Sequence, residues 1–244
     1  MLALHPPDSV FSLRHVPSWL MLAFAAGCVN ATAALACGRY VTHVTGTVTR
    51  IGMEWNSLWL ALDLVLVLVC FLVGAMTSGL VINGRAHRGR RPLYSLPLIG
   101  VAVADFAIAA AGDAGWFGAF GGEIDQTSDF VFLSLLSFAM GLQNGAVATS
   151  TGLLVRTTHL TGPATDLGIH LAELFFVEGK ARETARQHAL LRAGKIATFA
   201  SGAAAAVQLA PRFEYLVLVV PAVMTLLATW LSFLRARPAR HGGV

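Results

Sequence analysis

Six blocks of mostly apolar residues dominate the sequence, at about 17–38, 58–82, 93–112, 130–152, 193–210 and 213–234. Each approaches the roughly 20 residues that an α-helix needs to span a hydrocarbon core. A soluble domain of 244 residues would carry charge on about a quarter of its positions, whereas Asp, Glu, Lys and Arg together make up 12% here. Such a chain has too little polar surface to face water and too much apolar length to bury. It is read as an all-α polytopic membrane protein, 1–244 forming a single membrane domain, because a backbone in lipid must satisfy its amides within each segment.

The loops orient the bundle. With the N-terminus cytoplasmic, 14 of the 17 basic residues fall on the inner side, among them Arg85, Arg88, Arg90, Arg91, Arg156, Lys180, Arg182, Arg186, Arg192, Lys195, Arg235, Arg237 and Arg240. Arg39, Arg50 and Arg212 fall outside, beside an outer loop at 113–129 that holds Asp113, Glu123, Asp125 and Asp129 and no Lys or Arg. That asymmetry obeys the positive-inside rule and puts both termini in the cytoplasm. The net charge of +4 is therefore a matter of orientation, and no nucleic-acid partner is expected. Trp19, Trp55, Trp59, Trp116 and Trp230 are placed as interfacial belt residues. Cys28, Cys37 and Cys70 lie in or beside apolar segments without CxxC or Cys/His spacing, so buried thiols are expected, and no metal or other cofactor.

An internal repeat sharpens this picture. Residues 42–52 and 158–168 both read T-H-x-T-G-x-x-T-x-x-G, and histidine occurs only eight times in the chain. A G-x-x-N precedes each copy (Gly27 with Asn30, Gly141 with Asn144), F-x-x-G follows (Phe71 with Gly74, Phe199 with Gly202), and Pro97 and Pro221 come next. Each unit, 17–112 and 130–234, then holds three spans. An odd number inverts the second unit relative to the first, which is the architecture of many transporters.

The motif itself suggests a buried helix start. Residues 39–44 should be extended, Thr45 or Thr47 is a suitable N-cap, and Pro163 sits where a first-turn proline is tolerated. Each copy is expected to dip inward and start a re-entrant half-helix, about 15 Å long from Thr45 to Trp55. The amide-rich ends would aim at a shared site near the midplane and favour an anionic or polar solute. The candidate binding residues are Asn30, Thr42, His43, Thr45, Gly46, Asn144, Thr158, His159, Thr161, Gly162 and Asp166. Arg50 and Asp166 hold equivalent motif positions with opposite charge and either pair across the repeat or sit at separate interfaces. Asp105, deep in its span, is the proton-relay candidate, and Asp63 is placed near the outer headgroups. Gly74 to Gly79 and Gly202 to Ala206 supply small residues for close helix packing, while 180–195 resembles an amphipathic helix on the inner leaflet. No P-loop, dinucleotide fingerprint, H-E-x-x-H or nucleophile elbow occurs, so no enzyme is expected.

The stretch 27–31, the T-H-x-T-G of 42–46, the G-L-Q-N-G of 141–145 and the R-T-T-x-L-T-G-x-x-T-D-L-G of 156–168 together resemble the YoaK family, also called the DUF1275 family, of bacterial integral membrane proteins. The resemblance covers nearly the whole chain and implies the multi-pass topology more than any activity. Two departures from the family pattern stand out: Asn30 takes the place of a common aspartate, and Thr47 stands where asparagine often follows T-G. The expected function is transport of a small polar or anionic solute across the lipid bilayer, compatible with a homo-oligomer. A non-transporting membrane scaffold and a passive channel are the alternatives.

Overall fold

The computed structural model describes residues 4–5, 7–12, 14–54, 56–122 and 127–234. Trp55, Glu123, Asp125, Arg235, Arg237 and Arg240, used above for belt and charge, lie outside them. Within them the chain is helical and has no strand: α1 (Pro7–Val10), α2 (Val16–Cys37), α3 (Val44–Met53), α4 (Leu58–His87), α5 (Ser95–Asp113), α6 (Thr127–Ser150), α7 (Thr161–Glu173), α8 (Gly179–Phe213) and α9 (Val219–Thr229). Five stretches are long and apolar enough to cross a membrane: α2, α4, α5, α6 and the helical run Gly179–Leu234.

That last run cannot be one rod. Its 56 residues would reach about 84 Å at 1.5 Å per residue. Glu214, with φ 45° and ψ −121°, ends α8, and a tight turn at Glu214–Leu218 leads into α9. Both limbs pack on α2. Gly202 of α8 lies against Phe24 and Cys28, whereas Ser232, beyond α9, hydrogen-bonds Ser18 near the start of α2. The chain therefore doubles back at Glu214, and its two described ends lie on the same side of the bundle.

Two helix pairs form the frame. Along α2 and α8, Gly194 meets Leu20, Gly27 meets Phe199, and Gly202 meets Phe24. Along α4 and α6, Gly74 meets Phe138, Gly141 meets Phe71, and Gly145 meets Ala75 and Ser78. From Gly194–Leu20 to Gly27–Phe199 in the first pair, and from the Ser137–Val67 hydrogen bond to Gly145–Ala75 in the second, the contact advances in the same direction along both helices, so each pair is parallel. Glycine at the crossings lets backbones touch, which is how helices gain packing energy where lipid removes the hydrophobic drive. Helices α5 and α9 pack against each other and close the bundle.

Three expectations need correction. The run 180–195 is not a separate surface helix but the first half of α8, continuous with the apolar segment that follows. Trp19 is no belt residue: it is fully buried, its indole N–H donating to the Val10 carbonyl under the folded-back N-terminal segment. Trp59, Trp116 and Trp230 do face outward. Helix α3 begins at Val44 with His43 in the N-cap place, so Thr45 and Thr47 sit inside its first turn. The three cysteines are free thiols, Cys28 and Cys37 buried and Cys70 partly so.

Candidate functional site

Both copies of the motif start a short helix. Before α3, the Asn30 side-chain carbonyl on α2 accepts the Val41 and Thr42 amides, each at 3.1 Å. Before α7, the Asn144 carbonyl on α6 accepts the Thr157 amide at 3.1 Å. Each asparagine thus braces the non-helical loop that follows its own long helix, meeting the demand that irregular backbone be satisfied inside protein. The histidines fold onto the glycines three residues on. His159 Nε2 accepts the Gly162 amide at 3.2 Å, so this ring acts as a helix cap in its Nδ1-protonated tautomer. A Cβ on Gly162 would come 3.2 Å from that nitrogen, and one on Gly46 would come 2.8 Å from His43 Nδ1. The H-x-x-G spacing is explained by ring-over-glycine packing.

This capping changes the electrostatics expected of the α7 start. In α7 the Gly162 amide is taken by His159, Pro163 has none, and the Ala164 amide bonds the Leu160 carbonyl. The dipole remains, but the fan of free amides imagined from the sequence does not.

Three cavities follow one another along the motifs. The central one, about 400 Å³, is lined by matched residues: Asn30 and Asn144, Thr42 and Thr158, His43 and His159, Val44 and Leu160, Thr45 and Thr161, Phe71 and Phe199. Arg156 is its one unmatched lining residue. A flanking cavity of about 320 Å³ includes His43, Gly46, Arg50, Asp63, Leu64 and Val67. The other, about 250 Å³, includes His159, Gly162, Asp166, Leu191, Arg192 and Lys195, the same positions one repeat later. His43 borders the central cavity and the first flank, while His159 borders the central cavity and the second.

Of the residues singled out from sequence, Asn30, Thr42, His43, Thr45, Asn144, Thr158, His159 and Thr161 are brought together in the central cavity. Gly46 lies in the first flank, Gly162 and Asp166 in the second. Asp166 does not pair with Arg50; its carboxylate meets Arg192 of α8 at 3.4 Å. Asp63 is partly exposed and shares the first flank with Arg39 and Arg50. Asp105 is fully buried and neither carboxyl oxygen has a hydrogen-bond partner among the described residues. Sequence reasoning missed Phe71, Phe199 and Arg156 as cavity walls. The F-x-x-G repeat held the signal for the phenylalanines, since the glycine crossing that draws the helices together sets Phe71 against Gly141 and Phe199 against Gly27.

The brace gives a first test. Asn30→Leu leaves two loop amides without their acceptor and should lower stability by about 2 kcal/mol, read as a fall in the melting temperature of the purified protein. Asn30→Asp keeps an acceptor oxygen in place and should melt near the parent; equal losses in both variants would rule out the brace.

The family described as "Protein of unknown function (DUF1275)" matches residues 18–231, and the chain belongs to it. No curated protein and no solved structure matches the chain.

Proposed function

We propose that this member of the DUF1275 family is an inner-membrane transporter of a small polar or anionic solute. In this reading 17–112 and 130–234 are two inverted three-helix units that cross the bilayer six times, both termini being cytoplasmic. The observation that carries it is the paired lining of the central cavity: six matched residues from each unit, with Arg156 in addition, surround one space. An inverted duplication puts its axis, and so its shared site, at such a point. The doubling-back at Glu214 and the parallel pairs α2–α8 and α4–α6 support the same topology.

The two histidines then form the walls that separate the central site from its flanks. Movement of His43 would connect the site to the outer side and movement of His159 to the inner side, and alternation between them is a carrier cycle. The charge of the flanks favours anions. Arg39 and Arg50 outnumber Asp63 in the first, and Arg156, Arg192 and Lys195 outnumber Asp166 in the second. Asp105 is the natural coupling site: a buried carboxyl without partners is costly unless it takes up a proton or cation at some stage.

A non-transporting scaffold is the rival, and one observation favours it. Asn30, Asn144 and His159 each serve their own loop's backbone, as purely structural polar groups would. Flux separates the readings. Reconstituted into vesicles and offered a panel of small anions and neutral polar solutes, the protein should show saturable flux of at least one. His43→Gln with His159→Gln should remove that flux while the melting temperature stays within about 3 °C, the shift that about 1 kcal/mol gives a chain of this size. Asp105→Asn should remove its response to a proton gradient. A well-folded parent that moves nothing on the panel would favour the scaffold; flux that never saturates would favour a channel.

A further inference from the structure

The two flanking cavities are built on the same positions but not with the same chemistry. Where the first has Tyr40, Leu64 and Val67, the second has Arg156, Arg192 and Lys195. Of these three cations only Arg192 has a carboxylate partner among the described residues, the 3.4 Å pair with Asp166. Lys195 is 3% exposed, and its ammonium donates to the Arg156 carbonyl, a neutral partner. It sits three residues after Arg192 on α8, so both reach one face of the helix. Asp166 is the sole acidic residue lining this cavity.

Burying the Lys195 ammonium against a neutral carbonyl is unfavourable unless opposite charge compensates it. One carboxylate against three cations leaves two positive charges in a space of about 250 Å³, room enough for a small polyatomic anion. The α7 start at Gly162 adds its positive dipole end to the same wall. Both guanidinium groups offer the planar, paired donors that fit oxyanions, and the ammonium supplies a point charge.

We propose that this second flanking cavity is an oxyanion site for a phosphate-type group held between Arg156, Arg192 and Lys195. None of its three cations has a charged counterpart at the matching position of the first flank, whose own cations are Arg39 and Arg50, so the two ends of the cavity chain differ in what they retain. The site stands whether or not solute crosses the membrane. The phosphate group can be a free ion or the headgroup of an anionic lipid, since the chemistry that recognises them is shared.

Equilibrium binding tests it without transport. The purified full-length protein in neutral detergent is melted against inorganic phosphate, with sodium chloride at matched ionic strength as control. In parallel, protein extracted from vesicles of phosphatidylglycerol and phosphatidylcholine is weighed intact for retained lipid. A free-ion site gives a saturable rise in melting temperature with phosphate; a lipid site gives no such rise but retained phosphatidylglycerol. In either case Lys195→Gln should weaken binding at least about tenfold, as loss of a charge-assisted contact does. Arg156→Gln, an exposed position that leaves the buried packing intact, should do the same and covers the case in which Lys195→Gln fails to fold. Neither saturable stabilisation nor retained lipid in the parent would overturn the proposal. So would binding unchanged in Arg156→Gln.

Discussion

Alanine at Gly27, Gly74, Gly141 or Gly202 is expected to abolish the assembled bundle, while alanine at Gly52 or Gly79 should leave it intact. At the first four positions an added Cβ would overlap a main-chain carbonyl of the facing helix, those of Phe199, Phe138, Phe71 and Phe24 respectively. A side chain can rotate away from such an intrusion; a helix backbone cannot. The paired helices must separate along their whole contact, and the loss should exceed about 3 kcal/mol, the upper end of ordinary overpacking. Because α2–α8 and α4–α6 also hold Asn30 and Asn144 in place beneath the motif loops, separation at one crossing disorders the cavity as well. At Gly52 and Gly79 nothing lies within 4 Å of the added carbon, and helix propensity favours alanine by up to about 1 kcal/mol. Size-exclusion profiles after extraction and thermal melts read both outcomes. A Gly27→Ala protein that elutes and melts like the parent would show that the α2–α8 contact is not the frame described here.

The same glycines show what could be read in advance. Apolar length declared the spans, because nothing but a bilayer rewards such runs. The T-H-x-T-G copies marked the helix starts to within a few residues, because a first-turn proline at 163 and a glycine that leaves room for the histidine ring act locally. Partners chosen by tertiary register were hidden. Asn30 turns to the amides of Val41 and Thr42, a choice fixed by how the loop folds back over α2. Asp166 meets Arg192 only because α7 lies along α8 at one particular register. Arg50 and Asp166, alike in motif position, ended in separate cavities for the same reason. The polar run at 180–195 looked like a surface helix because composition changes there, but no proline accompanies the change and α8 runs through Gly194 without a break. Trp19 was misjudged because the segment that covers it is short, polar in part and without periodicity.

That covering segment should loosen as pH falls. His5 is 2% exposed, its ring packed on His15, Trp19 and Phe233 at centroid distances of 4.3, 5.3 and 5.6 Å, and its amide donates to the Ser150 carbonyl at 3.0 Å. Burial first, then the neighbouring His15 and Arg14, push its pKa down from 6.5 to about 3. His15, bonded to Ser232 at 3.0 Å, is shifted in the same direction by burial and Arg14. A released His5 takes its proton near pH 6.5, whereas the docked ring resists it down to about pH 3. Between those limits the released state binds more protons, so docking is fully stable above pH 6.5 and weakens as pH falls. At about pH 5 the loss from His5 is about 2 kcal/mol, roughly a thirtyfold shift toward release. Release carries Phe11 away from its stack on His188 at 3.9 Å and from Arg192, and so frees the face of α8 that holds Asp166 and, through His188 and His170, α7. Deuterium uptake over residues 4–19, corrected for the intrinsic rate, should therefore rise between about pH 7.5 and about pH 5. His5→Phe keeps the ring contacts without a titrating group and should lose most of that response. Equal uptake at the two pH values, or a full response in His5→Phe, would mean that this segment is held by something other than neutral histidine packing.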